Sequence, residues 1–336
     1  MASGEWRVLG TKYSVLVTRY HTRYSLLATR YFSPLATKLE EAMKLPLAAL
    51  CLVVQAASAQ SFTLDVGGLT RTYQIHLPRA RPQGALPLVV LLHGRMGTGE
   101  GMARLSGFDS VADRVGILVA YPDGYRRSWA DGRLGTPADR NGVDDVAFIQ
   151  AMLADIADRY RVDRGRIYVA GMSNGGFMTE RLACAMSDRL AAVGVVAATL
   201  SDSLSVRCAP ARPISIMLIN GTKDPLVPYE GGELSGDRGT ALSVAKSVAF
   251  WAKSNRCPGK ASDQLGTDFA RDGTRIVQSS YSTCADGTEV VAVRVEEGGH
   301  TWPGGEQYLP PALIGKTTRN LSASSALWDF FSRHHR

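Results

Sequence analysis

Histidine and cysteine are the scarce residues of this chain, and their scarcity narrows its chemistry. Six histidines occur in 336 residues. Only His300, His334 and His335 lie in the C-terminal half. The cysteines number five, and no Cys-x-x-Cys pair occurs among them. A zinc ribbon and a thioredoxin-type redox centre are thereby excluded, and no metal or organic cofactor is expected. No apolar run approaches the roughly 20 residues that a membrane-spanning helix needs, so stable membrane association is not expected. Charged residues make up 21% and hydrophobic ones 45%, which excludes intrinsic disorder and a collagen-like or disulfide-miniprotein composition.

What charge there is leans basic, with a net +7 at neutral pH and a pI near 9.2. Such a balance invites a nucleic-acid partner, but the excess is unevenly placed. Residues 1–59 hold seven Lys/Arg and three Asp/Glu, so four of the seven net charges lie there and residues 60–336 carry +3. The electrostatic case for nucleic acid goes with them. From Met43 the chain reads as a secretory signal peptide: Lys44, an apolar run from Leu45 to Val54, then the small-x-small cleavage signal Ala57-Ser58-Ala59. Leu50 before Cys51 fits a lipobox poorly. Residues 1–42 repeat Thr-Arg-Tyr three times, and translation is expected to start at Met43, leaving 43–59 as the signal peptide and 60–336 as one catalytic domain. Export suits the four remaining cysteines, Cys184, Cys208, Cys257 and Cys284. Three pairings are open to them. Sequence proximity favours Cys184–Cys208 and Cys257–Cys284, each closing a loop worth about 3 kcal/mol in the chain-entropy view.

From Gln60 on, strand and helix patterns alternate. Strands are expected at 72–77, 86–92, 117–121, 167–171, 192–198, 214–220 and 290–295. Several are continuous apolar runs, such as Leu88-Val89-Val90-Leu91-Leu92, which suit a parallel sheet buried on both faces. Helices are expected at 144–160, 175–186, 243–255 and 322–334. The first shows Val146, Ile149, Leu153, Ile156 and Tyr160 at helical spacing behind Asp144 and Asp145. Residues 257–282 read as irregular. The alternation predicts one α/β domain, a mostly parallel sheet with helices on both faces.

The chemistry concentrates at strand ends. Gly171-Met172-Ser173-Asn174-Gly175-Gly176 follows a strand and opens a helix. In that setting Gly-x-Ser-x-Gly is a nucleophile elbow, with Ser173 on a sharp turn. A serine hydroxyl needs a base oriented by a carboxylate, and in α/β-hydrolases the chain order is Ser, Asp or Glu, His. His300, in a Gly-rich stretch beyond a strand, is the base this order selects, while His334 and His335 read as a solvated tail. Asp224, directly after the strand ending at Asn220, is the favoured acid, with Asp202 and Asp237 as competitors. An oxyanion hole is expected from the backbone N–H of Asn174 and of Arg95, with Met96 as fallback for the second. His93 reads as structural. The glycines at 94, 97, 99 and 101 are not followed by Gly-Lys-Ser/Thr, so they do not form a phosphate loop.

These segments together resemble the poly(3-hydroxybutyrate) depolymerase and feruloyl esterase-like group of α/β-hydrolases. Leu91-Leu92-His93-Gly94, Tyr121-Pro122-Asp123-Gly124, Ser128-Trp129-Ala130-Asp131-Gly132-Arg133, Val143 to Ile149, the Ser173 elbow, Asp224-Pro225-Leu226-Val227-Pro228-Tyr229 and Gly299-His300-Thr301-Trp302-Pro303-Gly304 carry the likeness. The resemblance implies the α/β-hydrolase fold, Ser173, Asp224 and His300 as a triad, and Trp129 and Trp302 as walls of an acyl pocket. It implies a secreted carboxylic-ester hydrolase acting on hydroxyalkanoate polyesters or oligoesters, or on feruloyl esters. Secreted polymer depolymerases carry Cys where Arg95 stands and a separate polymer-binding domain, so a soluble ester, an oligomer or an amorphous polyester is the expected substrate. A serine peptidase or acyltransferase on the same fold is the alternative.

Overall fold

The computed structural model describes residues 60–336 other than 81, 236, 237 and 267. The expected leader, with Met43, its cleavage signal and Cys51, lies outside the described residues, as does Asp237.

The chain opens with a hairpin of β1 (Gln60–Val66) and β2 (Leu69–His76). Its two-residue turn is Gly67-Gly68, both at positive φ (59° and 76°), where a side chain would be strained. Next come β3 (Leu86–Leu92), α1 (Gly99–Ser106), α2 (Phe108–Val115), β4 (Leu118–Pro122), α3 (Pro137–Arg140) and α4 (Asp145–Arg159). The middle holds β5 (Val162–Met172), α5 (Asn174–Ala185), β6 (Ala192–Val196), α6 (Asp202–Ser205) and β7 (Ser215–Gly221). A short pair, β8 (Gly232–Glu233) and β9 (Thr240–Ala241), precedes α7 (Val244–Ser254), β10 (Ser262–Leu265) and β11 (Arg275–Tyr281). The end is β12 (Val290–Glu296), α8 (Pro311–Ile314) and α9 (Ala323–Phe331).

Ten strands form one sheet in the order β1-β2-β4-β3-β5-β6-β7-β12-β11-β10. The six from β4 to β12 run parallel, and antiparallel strands finish both edges. The apolar run of β3 shows why a parallel sheet forms. Leu88, Val90 and Leu92 enter the core under α4, α5 and α7, while Val89 and Leu91 enter the core under α1, α2 and α9. Alternate side chains therefore bury on opposite faces, each worth about 1.5–3 kcal/mol. The helix expected over 144–160 is α4, with the Asp144 carboxylate accepting from the Ala147 amide at 3.0 Å as N-cap.

Two expectations fail. Residues 257–282 are not irregular throughout, because β10 and β11 extend the sheet past β12. Their polar composition hid them: β10 is exposed along its whole length, so it never shows a buried run. Nor is His334 a solvated tail residue. Only 8% exposed, it stacks edge-on against Phe330 and lies 3.2 Å from the Ser215 hydroxyl. Helix α9 stops at Phe331, and the turn after it tucks His334 inward. The bridges Cys184–Cys208 and Cys257–Cys284 both form. The first ties the end of α5 to the segment after α6.

Candidate active site

Strand β5 delivers Ser173 to the C-terminal edge of the sheet, where α/β proteins place their ligands. Ser173 has φ 56° and ψ −121°, a conformation that costs a non-glycine residue about 1–3 kcal/mol. The turn is held by the Ser173 amide donating to the Val196 carbonyl at 2.9 Å. Glycine is required on both sides of it. A Cβ on Gly171 would run into the Gly175 carbonyl, and one on Gly175 into the Leu92 carbonyl. The strand, the elbow and α5 approach that closely only because both side chains are missing.

Two further loops meet beside it. After β7, the Lys223 amide donates to the Gly298 carbonyl at 2.8 Å, and the Thr222 amide to the Val295 carbonyl at 3.0 Å. The loop after β12 is thus bonded directly to the loop after β7. That contact brings His300 Nδ1 to 2.8 Å from Asp224 Oδ2. Asp224 Oδ1 accepts from the Leu226 and Val227 amides, both at 2.8 Å, which fixes the carboxylate. Both residues are buried. The His300 amide donates to the Ile314 carbonyl, and the Tyr308 hydroxyl donates to the His300 carbonyl at 2.9 Å. Asp202, the competing acid, lies in the first turn of α6 behind the Ser201 cap and is not bonded to His300.

The loop after β3 supplies the facing backbone. The Met96 amide already donates to the Arg127 carbonyl at 2.8 Å, so of the two candidate donors there Arg95 keeps the open amide among the described residues. His93 braces this loop. Its Nε2 accepts from the Gly124 amide at 2.9 Å and its Nδ1 lies 2.7 Å from the Gly94 carbonyl. Burial lowers its pKa, which keeps the ring neutral and able to accept.

Asn174, next to Ser173, is anchored through its side chain. Its Oδ1 accepts from the Trp129 amide at 2.8 Å and its Nδ2 donates to Asp131 Oδ2 at 2.6 Å. Asp131 is itself paired with Arg133 at 2.6 Å, and Arg133 lies 3.9 Å over the Phe177 ring. Nearby, Asp145 pairs with Arg71 and accepts from the Ala130 amide at 2.7 Å. Burial raises both carboxyl pKa values, and the facing arginines pull them back. Residues 128–133 are therefore clamped by two buried ion pairs.

The tryptophans do not line an acyl pocket. Trp129 is fully buried and donates through Nε1 to the His93 carbonyl at 2.8 Å. Trp302 is fully buried and donates to Ser324 at 3.0 Å. Each finds its polar partner inside the core, so each braces a loop and leaves the surface to smaller side chains.

Ser173 and His300 open onto one cavity of about 650 Å³. Met96, Met102, Leu105, Leu226, Tyr308 and Leu309 give it an apolar lining, and Arg95, Arg104, Arg238 and Glu306 are its charged members. Sequence reasoning had no hold on Tyr308, Leu309 or Arg238, which come from loops without a motif. The one available signal was the proximity of Tyr308 to His300.

A sequence model of the family described as "Esterase PHB depolymerase" matches residues 71–219. The chain is 34% identical over 281 residues to "Putative esterase NocK" of Nocardia uniformis subsp. tsuyamanensis, covering 79% of this chain and 80% of that one. It is 30% identical to "Feruloyl esterase B" of Piromyces equi, over 64% of this chain and 40% of that one. Among solved structures, an acetyl xylan esterase from Aspergillus awamori superposes with a TM-score of 0.55 at 14% identity, over 81% of this chain and 99% of that one. This last likeness is one of fold, that of the α/β-hydrolases.

Proposed function

The chain belongs to the PHB depolymerase and feruloyl esterase-like family and is a carboxylic ester hydrolase, and from that premise we propose that it works through Ser173, His300 and Asp224 by way of an acyl-enzyme. The observation that carries the proposal is the His300–Asp224 pair, 2.8 Å apart, beside a strained serine on the same cavity. Asp224 accepts from Nδ1–H, which leaves the Nε2 lone pair as the base. His300 takes the hydroxyl proton as Ser173 Oγ attacks the ester carbonyl. The amides of Asn174 and Arg95 hold the oxyanion. His300 then gives the proton to the leaving alcohol, and water repeats the sequence on the acyl-enzyme.

The substrate classes that suit the apolar lining are hydroxycinnamoyl esters and short hydroxyalkanoate oligoesters. The two disulfides fit a secreted enzyme. The test is an activity panel of methyl ferulate, hydroxybutyrate oligomers, amorphous polyhydroxybutyrate and peptide amides, each with Ser173→Ala as control. Ester cleavage by the wild type, lost at least about ten-thousand-fold in the variant with folding intact, is the expected result. Peptide cleavage without ester cleavage, or a variant that hydrolyses at the wild-type rate, would overturn the reading.

A further inference from the structure

The charged members of the cavity wall are unequally paired. Arg104 is bonded to Glu100 on the same helix. Arg133, just behind the wall, is neutralised by Asp131. Arg95 and Arg238 have no ion pair or side-chain hydrogen bond among the described residues, and Arg238 Nε is sealed from solvent without a partner. A buried guanidinium N–H with no acceptor is costly and uncommon in a native structure. Burial, and after it the positive charges of Arg95 and Arg133, make the charge of Arg238 less favourable. Among the described residues Glu306 is the one acidic member of the lining; it is exposed and makes no ion pair there. Close cations with no counterion among the described residues, beside a nucleophile, describe a site that an arriving anion completes.

We propose that the cavity selects esters that also carry a carboxylate, held by Arg238 with Arg95 beside it. The inference rests on the ester-hydrolase reading and adds the substrate's charge to it. A planar carboxylate suits arginine, whose fork donates two parallel hydrogen bonds. The carboxylate has two possible sources, the acyl chain or the alcohol. The free acid end of a hydroxyalkanoate oligomer supplies it on the alcohol side, whichever ester bond is cut.

The experiment compares kcat/KM for pairs of similar size that differ in charge, at low and high salt. The acyl arm pairs the p-nitrophenyl monoester of glutaric acid with p-nitrophenyl valerate. The alcohol arm pairs the free acid of a 3-hydroxybutyrate dimer with its methyl ester. The anionic member of at least one pair is expected to be favoured about tenfold or more at low salt, and less at high salt. The preference is expected to fall to near unity in Arg238→Gln and to return in part in Arg238→Lys. A salt-insensitive ratio of one or less in both arms, or a ratio that Arg238→Gln leaves unmoved, overturns the proposal while the ester-hydrolase reading stands. If no member of any pair is cleaved, both fall together.

Discussion

The floor of the cavity and its rim are built by different physics. The floor, Ser173 and His300 with Asp224 and Asn174 buried behind them, hangs on strand ends, paired loops and glycines whose missing side chains let backbones touch. The rim, with Met96, Leu226, Arg238, Tyr308 and Leu309, is made of side chains from loops far apart in sequence. A floor built from backbone has few permitted variations, so it fixes the chemistry. The rim, by contrast, can change one side chain at a time without disturbing the sheet, and in the proposed mechanism it is the part that sets which ester enters. Substitutions in the floor should therefore act on all esters alike, whereas substitutions in the rim should alter ratios between esters.

The largest effect after loss of Ser173 belongs to Asp224→Asn. The amide keeps the side-chain shape but no longer favours Nδ1–H or stabilises the imidazolium, so kcat should fall roughly a thousand-fold or more for every ester in the panel. Steady-state kinetics on ferulate and hydroxybutyrate substrates checks this. A loss confined to one substrate would dissolve the distinction between floor and rim.

A second substitution tests what supports the floor. Arg133→Met leaves Asp131 buried without its cation, which should cost about 3–5 kcal/mol. Thermal unfolding should show a melting temperature lower by roughly 10 °C. Activity should fall too, because Asp131 also anchors the Asn174 side chain. An unchanged melting temperature would mean that the clamp on residues 128–133 is incidental.

The mildest effect concerns the helix behind the nucleophile. Glu180 in α5 is fully buried, and burial pushes its carboxyl up to about 8, with only the Trp251 N–H, 2.6 Å from Oε2, acting to lower it. The unfolded carboxyl titrates near 4.5. Between these values the folded state holds a proton that the unfolded state has released, so this group's contribution to stability declines as pH rises from about 5 to about 8. Wild-type melting temperature minus that of Glu180→Gln should therefore fall across that window and level off above it. A difference that stays constant with pH would show that Glu180 is ionised in the fold.

The sequence disclosed these two regions unequally, for physical reasons. Runs such as Leu88 to Leu92 and Ile214 to Asn220 had to be buried on both faces, which made the parallel strands readable. The elbow was readable because only glycine fits at positions 171 and 175. The β1–β2 hairpin carried a signal in Gly67-Gly68 between alternating residues, which the strand expected from 72 passed over. Strand β10 carried none, being polar and exposed. Trp129 and Trp302 were misplaced because a resemblance between motifs says nothing about which way a ring points. Arg238 was unreadable because its role depends on Arg95 and on a cavity that exists only once the chain has folded.

The most direct test of the central claim is to label the wild-type protein with a fluorophosphonate and map the modified peptide by mass spectrometry while following ester hydrolysis. The account predicts a single adduct on Ser173, with hydrolysis lost in proportion to labelling. Full labelling at another residue, or full hydrolysis by a protein labelled at Ser173, would contradict it.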